Sequence, residues 1–459
     1  MAEAPDLDTL IGLLKQRGFV FPSSEIYGGL AGVYDYGPLG VLLINNLKNA
    51  WWKRMVQERA DIFGLDAGIF MNQKVWVASG HVGGFSDPLV ECRVCHTRSR
   101  ADHLLEEAGT EADEKMSLED INDLFGEHVS QIRCPRCGEQ NFTEVKFFNL
   151  LVTSNLGNFS GDPSEPVYLR GETCQGIYVN YKNVYDSMHP KLPFGIAQIG
   201  KAFRNEITPR QFLFRTREFE QMEMEYFSKP EEATKHFEDL KEYRFNHLLS
   251  LGLKKEKLRF KKHDRLVFYA QDAYDIEYEY PFGWKELEGI HNRGNYDLTQ
   301  HSEHSGTDLS YFDEETKERL TPHVLESSIG VGRLFLAVLS DAYHQEEVEG
   351  EVRTVLRLDK NIAPIQVAIL PLSKKEELTP LAKDIFNFLK GRYFCHYDET
   401  QSIGKRYRRQ DEIGTPYCIT VDFDSLLDKK VTIRDRDTME QERVAIDDLE
   451  SYLEEKFKI

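Results

Sequence analysis

The 459-residue sequence lacks an excess of basic residues, since 57 Lys and Arg stand against 77 Asp and Glu. The net charge of −20 argues against a non-specific nucleic-acid coat, which needs a basic surface, although local basic patches remain compatible with an RNA ligand. No apolar run approaches the roughly 18 residues that cross a bilayer. The acidic start, MAEAPDLDTL, has no secretory leader. We therefore expect a cytoplasmic protein with no membrane partner.

Cysteine is scarce, and its odd number, seven, argues against a disulfide framework. Four cysteines form two CxxC pairs separated by 38 residues, Cys92 with Cys95 and Cys134 with Cys137. Thiolates at this spacing are typical of a structural Zn²⁺ site, so we expect all four to bind zinc. The alternative is four reduced thiols without a metal. The other three, Cys174, Cys395 and Cys418, are expected to be ordinary buried thiols.

The length exceeds one ordinary core, which favours two or three domains. Hydrophobic periodicity predicts a helix over 7–17 and another from Pro38 to about Gln57. Short alternating strands predict a mainly antiparallel sheet over 147–340, with one clear helix near 231–250. From about 362 onward, strands alternate with helices (strands 366–372, 393–397 and 417–422; a helical stretch after 372, a basic helix and a final helix over 446–457), which favours a separate α/β domain.

The segment from Phe203 to Phe227 carries the strongest chemical signal, FRNEITPRQFLFRTREFEQMEMEYF. It predicts one strand ending at Glu206, a turn at Thr208-Pro209-Arg210 and a returning strand from near Phe214. Side chains alternate between the two faces of a strand. One predicted face therefore holds Arg204, Glu206, Arg215, Arg217, Phe219, Gln221 and Glu223, and the other holds the core residues Met222, Met224 and Tyr226.

Three arginines, an aromatic ring and two carboxylates on one face are costly to bury unless a ligand neutralises them. A polyphosphate joined to a purine fits this face, because arginine forks onto phosphate oxygens and an aromatic ring stacks on the base. On alternation alone, a solvated sheet face with cross-strand ion pairs fits as well.

A second signal is ESSIGVGRLFLAVL, from Glu326 to Leu339. It predicts a strand, a glycine-rich turn and a helix carrying Arg333. Glycines allow close approach of the backbone to a ligand, and a helix N-terminus favours phosphate. Taken alone, the same pattern is also explained by close helix packing.

Together, FRxE, a loop, RxxxF and the later GxGR resemble motifs 2 and 3 of the class II aminoacyl-tRNA synthetases. Further stretches extend the resemblance to the homodimeric glycyl-tRNA synthetases over nearly the whole chain: YGGLAGVYDYGPLG, KVWVASGHVGGFSDPLVEC, RADHL, YLRGETCQG, WKELEGIHNRGNYDL and VTIRDRDT. The resemblance implies an α/β protein (α+β catalytic core), with the antiparallel class II sheet flanked by helices. The implied divisions are the N-terminal catalytic part (1–90), a zinc-ribbon-like insertion (91–145), the catalytic core with motifs 2 and 3 (146–345) and an anticodon-binding domain (362–459).

The resemblance also implies ATP contacts, with Arg204, Glu206 and Arg333 as the catalytic residues. Arg204 would contact the α-phosphate, Glu206 the adenine amino group, and Phe219 would stack on adenine. Arg215 and Arg333 would hold the γ-phosphate end, and Glu286 would lie by ATP and its Mg²⁺. The remaining expected ATP-binding residues are Asn205, Phe214, Thr216, Arg217, Glu218, Leu287, Gly330, Val331 and Gly332.

A glycine pocket must hold an ammonium, which favours several carboxylates, while refusing any side chain. Glu172, Glu223 and Glu326 are expected to converge on the ammonium, and Ser328 to crowd the α-carbon. Arg100 matches a substrate-contacting position of the family. The other expected glycine-binding residues are Phe219, Glu220, Gln221, Met222, Ser327, Ile329 and Gly330. Each glutamate taken alone is more typical of an exposed surface position.

The expected function is glycine–tRNA ligation: glycine is activated with ATP and transferred to tRNA(Gly) by a homodimer. Two alternatives stay open at this point, an accessory RNA-binding protein that lost catalysis and a synthetase for threonine, proline or histidine. The basic stretch GKRYRRQDEIG, 404–414, suggests an RNA contact or, almost equally, a solvated helix face.

Three departures from the family pattern affect the detail. Gln73 stands where motif 1 usually has proline, and Gly171 and Cys174 stand in RGETCQG where the family has RPETAQG, which predicts a looser loop. The motif 3 arginine, Arg333, directly follows Gly332, so the distance that its side chain extends toward ATP stays open. Outside these motifs, His301 and His304 form an HxxH pair. We expect a structural role for both histidines.

Overall fold

The computed structural model describes residues 6–110, 112, 116–155, 166–207, 209, 211–264, 266 and 270–457. The first five residues of the acidic start lie outside this set, as do Thr208 and Arg210 of the predicted turn. No helix within the described ranges has both the length and the apolar character needed to cross a membrane.

The described helices and strands follow in chain order. The helices are α1 (Leu7–Gln16), α2 (Pro38–Trp52), α3 (Gln73–Ala78), α4 (His81–Gly84), α5 (Ala101–Glu107), α6 (Leu118–His128), α7 (Cys174–Met188), α8 (Ala233–Ser250), α9 (Tyr296–Ser305), α10 (Val331–Ala342), α11 (Thr379–Leu389), α12 (Ile403–Ile413), α13 (Asp424–Asp428) and α14 (Leu449–Phe457). The strands are β1 (Val20–Pro22), β2 (Tyr34–Tyr36), β3 (Ile62–Gly64), β4 (Phe70–Met71), β5 (Ser86–Glu91), β6 (Arg98–Arg100), β7 (Lys146–Asn149), β8 (Val152–Asn155), β9 (Pro166–Leu169), β10 (Phe194–Phe203), β11 (Glu218–Ser228), β12 (Leu258–Lys262), β13 (Asp272–Tyr280), β14 (Gly283–Gly294), β15 (Tyr311–Phe312), β16 (Arg319–Leu320), β17 (His323–Gly330), β18 (Tyr343–Val348), β19 (Glu351–Leu356), β20 (Val367–Pro371), β21 (Cys395–Tyr397), β22 (Tyr417–Val421), β23 (Lys430–Asp435) and β24 (Gln441–Ala445).

The three predicted N-terminal and central helices are confirmed as α1, α2 and α8. Asp6 caps α1 by accepting from the Thr9 amide at 2.8 Å, and Pro38 opens α2. Helices α7 and α9 were not predicted. Glycine, asparagine and tyrosine lower the helix propensity of α7, so its helix depends on tertiary burial of its apolar face rather than on local preference.

A seven-stranded sheet forms the centre of the molecule, in the order β12-β13-β14-β17-β11-β10-β3. All neighbours are antiparallel except β10 and β3, as the sequence predicted for this region. In its middle, Glu223 of β11 lies opposite Ser328 of β17, which lies opposite Gly289 of β14. The other face buries Met222, Met224 and other apolar side chains in the main core, which includes residues of α2, α8 and α10, so the predicted core face is confirmed.

The predicted ends of the two motif 2 strands are wrong. Strand β10 ends at Phe203 and β11 begins at Glu218, so the residues from Arg204 to Arg217 belong to the connecting loop. The amide of Arg204 still donates to the Arg217 carbonyl at 2.9 Å, which closes the ladder, but the chain then turns back on itself. The arginines therefore project from a loop, where their direction follows from loop contacts rather than from strand alternation.

The cysteine-rich segment packs as its own small unit. Strand β5 pairs with β6 and β7, and this sheet spans Ser86 to Asn149, slightly beyond the predicted insertion. Helices α5 and α6 cover it with a separate apolar cluster that includes Leu104, Leu105 and Phe125. The long spacer between the CxxC pairs therefore folds into α5 and α6.

The C-terminal five-stranded sheet has the order β21-β20-β22-β23-β24 and confirms the predicted α/β pattern, with β23 and β24 added as an unpredicted antiparallel hairpin. Buried Arg353 of β19 joins the β18–β19 hairpin to the C-terminal α/β unit, donating to Asp411 of α12 at 2.8 Å. The Asn46 side chain of α2 donates to the carbonyls of Ile362 and Ala363.

In the basic stretch of α12, Arg406 fits neither interpretation because it is buried. Arg406 is buried and donates to the Pro371 carbonyl at 2.6 Å, and Tyr407 bonds Thr420. Arg409 is held by Asp398. Lys405 is exposed, so an RNA contact in this stretch is limited to Lys405 and its partly exposed neighbours.

A fully buried ion pair on the core face of the sheet yields a stability prediction. Arg244 of α8 donates to Glu288 of β14 at 2.6 Å, with neither side chain exposed. Because Arg244→Met leaves the Glu288 carboxylate buried and unpaired, we expect a loss of about 3–5 kcal/mol in the free energy of unfolding. Lys182→Met, which breaks an exposed pair with Asp186, should cost at most about 1 kcal/mol. Chemical denaturation of both variants measures this, and equal losses would contradict it.

Candidate active site

A cavity of about 610 Å³ opens at the ends of β11, β14 and β17, beside the loop after β10. Its walls come from that loop, from the start of α10 and from α5 of the cysteine-rich unit. Predicted ATP- or glycine-site residues that line it are Arg204, Glu206, Phe214, Arg215, Thr216, Phe219, Gln221, Glu286, Ser328, Gly330, Gly332 and Arg333. The tertiary structure thus brings together residues separated by more than 120 positions.

Arg204 lies at the inner edge of the cavity between two aromatic rings. Its guanidinium carbon is 5.1 Å from the centre of the Phe85 ring and 5.4 Å from that of Phe219. Its Nε donates to the Gly171 carbonyl at 3.1 Å. These contacts hold the guanidinium in one place while leaving its remaining donors for an anion.

Gly171 does not loosen the loop that carries Glu172, contrary to the expectation. The preceding Arg170 is buried, donates to the carbonyls of Lys201 and Ala67 at 2.6 and 2.7 Å, and accepts from the Phe203 amide. A Cβ at Gly171 would lie only 3.2 Å from Leu151, so the position is close-packed. Gln73, which stands in place of the motif 1 proline, is the first residue of α3, and Asn72 caps that helix.

Arg333 reaches the cavity from the first turn of α10. It lies 4.3 Å above the Phe214 ring and pairs with the Glu286 carboxylate at 3.0 Å. Gly332 allows this approach, since a Cβ there would meet the Leu213 carbonyl at 3.1 Å. The nearby guanidinium holds the pKa of Glu286 below its ordinary value, and the half-exposed carboxylate is an oxygen donor suited to Mg²⁺.

Some predicted ATP-binding residues do not present side chains to the cavity. Leu287 and Val331 are buried in the main core, so only their backbone can face a ligand. Glu218 pairs with Lys201, and Arg217 donates to the carbonyls of Glu206 and Ala31. The Asn205 amide donates to Leu150. Strand and loop geometry thus direct the side chains of Leu287, Val331, Glu218 and Arg217 to other partners, and the ATP contacts of these residues stay predictions.

The floor of the cavity leads to a buried carboxylate, Glu223. Gln221 donates to Glu223 at 3.4 Å and to the Ser328 hydroxyl at 3.3 Å, and Thr173 donates to the other Glu223 oxygen. The Gln221 Oε1 atom is buried without a hydrogen bond among the described residues. Burial, then the Glu326 and Glu172 charges, raise the pKa of Glu223 to about 7.

Glu326 and Glu172 have their own partners beside Glu223. Arg293 donates to Glu326 at 2.6 Å, and His291 lies 3.1 Å from the other Glu326 oxygen. Glu172 lies 3.3 Å from His81. The three predicted glutamates are therefore close in space, and Glu223 is the one that accepts hydrogen bonds only from neutral side chains among the described residues, as a pocket for an ammonium requires.

The side chains of four predicted glycine-binding residues lie on the face of the sheet that is turned away from the pocket. Met222 and Ile329 belong to the main core, Ser327 donates to Glu288 at 2.7 Å on the core face, and Glu220 pairs with Lys48. Strand alternation explains all four, since each neighbours a pocket-facing residue. Arg100 is buried in ion pairs with Asp87 and Asp102 and does not line the cavity.

Several site residues were missed. Arg293 and His291 lie in WKELEGIHNRGNYDL, where Asp297 four residues after Arg293 was the available signal for a buried ion pair. Glu225, which accepts from Tyr178, lies next to Glu223 on the same face. The remaining wall residues are His103, Glu106, Glu107, Gln211, Leu213 and Lys285. Apart from the RADHL match, nothing local in the sequence indicates that α5 reaches the cavity.

The four CxxC thiols converge at the edge of the cysteine-rich unit. The Sγ atoms of Cys92 and Cys137 are 3.6 Å apart, those of Cys95 and Cys134 are 3.5 Å apart, and all four lie within 4.8 Å of one another. A tetrahedron of thiolates around Zn²⁺ has edges of about 3.8 Å. The four thiol donors and their spacing therefore fit zinc. The sulfur–sulfur distances are too long for disulfide bonds.

Both histidines of the HxxH pair are hydrogen-bonded, and two of the three remaining thiols are buried. His301 bonds Gln175 at 2.8 Å and His304 bonds the Gln300 carbonyl at 2.9 Å, which confirms structural roles for the HxxH pair. Cys174 and Cys418 are buried, and Cys395 is half-buried.

The fold and the cavity define a class II aminoacyl-tRNA synthetase. Residues 158–342 match the family described as tRNA synthetase class II core domain (G, H, P, S and T), and residues 366–456 match the anticodon binding domain family. Among solved structures, the prolyl-tRNA synthetases of Giardia lamblia and Cryptosporidium parvum share the fold. Their TM-scores are 0.66 and 0.64 at 16% identity, covering 97% and 98% of this chain and 76% and 74% of theirs.

The chain belongs to the glycine–tRNA ligase family. It is 53% identical to the glycine–tRNA ligase of Clostridium acetobutylicum over 100% of both chains. It is 54% identical to that of Caldanaerobacter subterraneus over 98% of both, and 51% identical to that of Bacillus cereus over 98% of this chain and 99% of the relative. Identity at this level over the full length separates the chain from the threonine, proline and histidine alternatives.

The raised pKa of Glu223 predicts that its contribution to the free energy of unfolding of the ligand-free protein falls as the pH rises. The unfolded carboxyl ionises near 4.5 and the folded one near 7, so this group's contribution is favourable below about 4.5 and is lost as the pH rises through about 7. Glu223→Gln removes the buried charge. We expect its unfolding midpoint to exceed that of the wild type at pH 8 and to match it at pH 4.5.

Thermal unfolding without ligands at both pH values measures this difference. Glu242→Gln, at an exposed position on α8, is the matched control and should show no pH-dependent difference. An equal shift for Glu223→Gln at both pH values would contradict the assignment.

Proposed function

We propose that this chain carries out its family's reaction, glycine–tRNA ligation, in the cavity between Arg204, Arg333 and Glu223. The observation that supports the proposal most is a buried carboxylate, Glu223, at the floor of an arginine-lined cavity. The cavity can hold an anionic triphosphate at its mouth and a small ammonium at its floor.

The nucleotide half of the proposal assigns ATP to the outer cavity. Phe219 offers a ring face for adenine, Glu206 an acceptor for its amino group, and Arg204 donors for the α-phosphate. Arg215, 3.0 Å from Glu206, and Arg333, 3.0 Å from Glu286, would exchange part of these ion pairs for the γ-phosphate end. Glu286 would hold Mg²⁺, which when bound neutralises phosphate charge.

The amino-acid half assigns glycine to the floor. Glu223, with Glu326 and Glu172 nearby, would accept the ammonium, and the unpartnered Gln221 Oε1 offers a further acceptor. Ser328, hydrogen-bonded to Gln221, closes the space beside the α-carbon. An added methyl group meets a close-packed wall there, which is the means of refusing alanine.

Two displacements complete the reaction. A glycine carboxylate oxygen attacks the α-phosphorus, the bond to pyrophosphate breaks, and glycyl-adenylate forms. The ribose hydroxyl of the tRNA terminal adenosine then attacks the glycyl carbonyl carbon, and AMP leaves. Arg204 and Arg333 stabilise the charge that develops on the phosphates, so catalysis rests on positioning and electrostatics, with no protein nucleophile.

Three further parts of the proposal are Zn²⁺ at the four-cysteine site, a homodimer and a cytoplasmic location. The sulfur geometry supports zinc. The homodimer rests on the resemblance to the homodimeric type, and the cytoplasm on the free cysteines, which suit a reducing compartment. The tRNA(Gly) anticodon would contact the C-terminal domain.

The test of the function is amino-acid-dependent ATP–pyrophosphate exchange with glycine, alanine, serine, threonine, proline and histidine. We expect exchange with glycine alone, and at least 100-fold less in Arg204→Ala because it loses the α-phosphate contact. Arg319→Ala, in an exposed pair with Asp308, should match the wild type. Exchange with none would favour an accessory binding protein, and normal exchange by Arg204→Ala would overturn the role of Arg204.

The zinc assignment is tested by metal analysis of purified full-length protein. Cys134→Ser removes one ligand of the four, so we expect it to lose one equivalent of Zn²⁺ and to unfold at a lower temperature. The half-buried Cys395→Ser is the matched control and should retain the metal. Equal zinc content in the two variants would contradict the site.

A further inference from the structure

A second group of possible metal ligands lies on the sheet outside the cavity walls: His263, Asp275 and His291. The register of the sheet brings them together. His291 of β14 lies opposite Ala273 of β13, and the His263 amide donates to the Ala273 carbonyl from the other side at 3.0 Å. Asp275 is two residues along β13, so its side chain shares the face of Ala273.

The three side chains already approach one another. His263 Nε2 lies 2.9 Å from Asp275 Oδ1, and the two imidazole rings stand at 69° with their centres 5.6 Å apart. One nitrogen or oxygen from each residue lies within 4.8 Å of the other two. Ligand atoms around Zn²⁺ are about 3.3 Å apart, so small side-chain rotations suffice to close the site.

His291 has the hydrogen bonding of a metal-bound histidine. Its Nδ1 lies 3.1 Å from a Glu326 oxygen, while its Nε2 is buried with no hydrogen bond among the described residues. A carboxylate on one ring nitrogen fixes the tautomer that leaves a lone pair on the other. The Glu326 contact therefore orients Nε2 as a ligand.

A glycine fixes the position of this ring. A Cβ at Gly289 would lie 3.2 Å from His291 Nε2 and 3.1 Å from Cε1. The imidazole thus packs against bare backbone, between Asp275 and Glu326. Any larger residue at position 289 would displace the nitrogen that faces the cluster.

We propose that His263, Asp275 and His291 form a binding site for a divalent transition metal of the Zn²⁺ class, separate from the four-cysteine site. Two imidazole nitrogens and one carboxylate suit zinc and its neighbours rather than Mg²⁺ or Ca²⁺, which prefer oxygen ligands. Three protein ligands leave a fourth position for water.

The metal would act on the amino-acid site, an extension that rests on the proposed function. His291 joins the cluster to Glu326, one of the three carboxylates assigned to the glycine ammonium. A divalent charge on the far side of the imidazole opposes the binding of a second cation at Glu326. Occupancy therefore weakens glycine binding, and by linkage glycine weakens metal binding by the same factor.

Calorimetric titration of Zn²⁺ alone into full-length protein, already holding zinc at its cysteine site, tests the binding. We expect one further equivalent to bind in the wild type and none in His263→Ala or Asp275→Asn. The exposed His304→Ala is the matched control and should bind as the wild type does. Circular dichroism confirms that each variant is folded. Equal binding by the wild type and both cluster variants, or no further equivalent in the wild type, would overturn the site.

The coupling is measured in the exchange assay with enough Zn²⁺ to saturate the second site. We expect the KM for glycine to rise about fivefold or more in the wild type, and to stay unchanged in folded His263→Ala. An unchanged KM in a metal-loaded wild type would overturn the coupling and leave the site standing. Absence of glycine-dependent exchange without added Zn²⁺ would instead count against the proposed function.

Discussion

The active-site face of the sheet depends on one buried cation, Arg293. Its guanidinium donates to Asp297 at 2.7 and 2.9 Å and to Glu326 at 2.6 Å, in a row that also holds Glu223 and Glu225. So many carboxylates cannot be buried together unless some are compensated or protonated. Arg293 compensates Glu326, whereas burial raises the pKa of Glu223 to about 7 and the pKa of Glu225 well above its ordinary value. Glu223 therefore has no hydrogen-bonded cationic partner among the described residues, and it is the carboxylate that would accept the proposed glycine ammonium.

The two faces of the same sheet divide stability from function. The core face is largely apolar, with the buried Arg244–Glu288 pair and the Ser327 hydroxyl that completes it, and it packs α8 and α10 against the strands. The opposite face carries the charged side chains and opens to the cavity. Because alternation sends neighbours to opposite faces, pocket residues such as Ser328 stand directly beside core residues such as Ile329. A shift of register by one residue would exchange the two sets.

The cysteine-rich unit forms part of the active-site wall. Its helix α5 places His103, Glu106 and Glu107 in the cavity wall, and Phe85, just before β5, stacks on Arg204. Zinc bound by the two CxxC pairs would stabilise this small unit, whose apolar cluster is modest, and so hold α5 against the nucleotide site. The metal would thus influence catalysis by fixing a wall rather than by touching a substrate.

The motif resemblance in the sequence implied the fold class. The sequence alone determined the antiparallel sheet, the α/β C-terminal pattern, the core face of β11 and the convergence of the CxxC pairs, because these follow from short-range periodicity and spacing. It also identified most cavity residues, through motif resemblance. Only the tertiary structure decided that Arg204 projects from a loop, that Leu287, Val331, Met222, Ile329 and Ser327 turn away, and that Arg293, His291 and α5 belong to the site. These depend on where strands end and which distant strands pair, and those outcomes are set by long-range packing that no local pattern encodes.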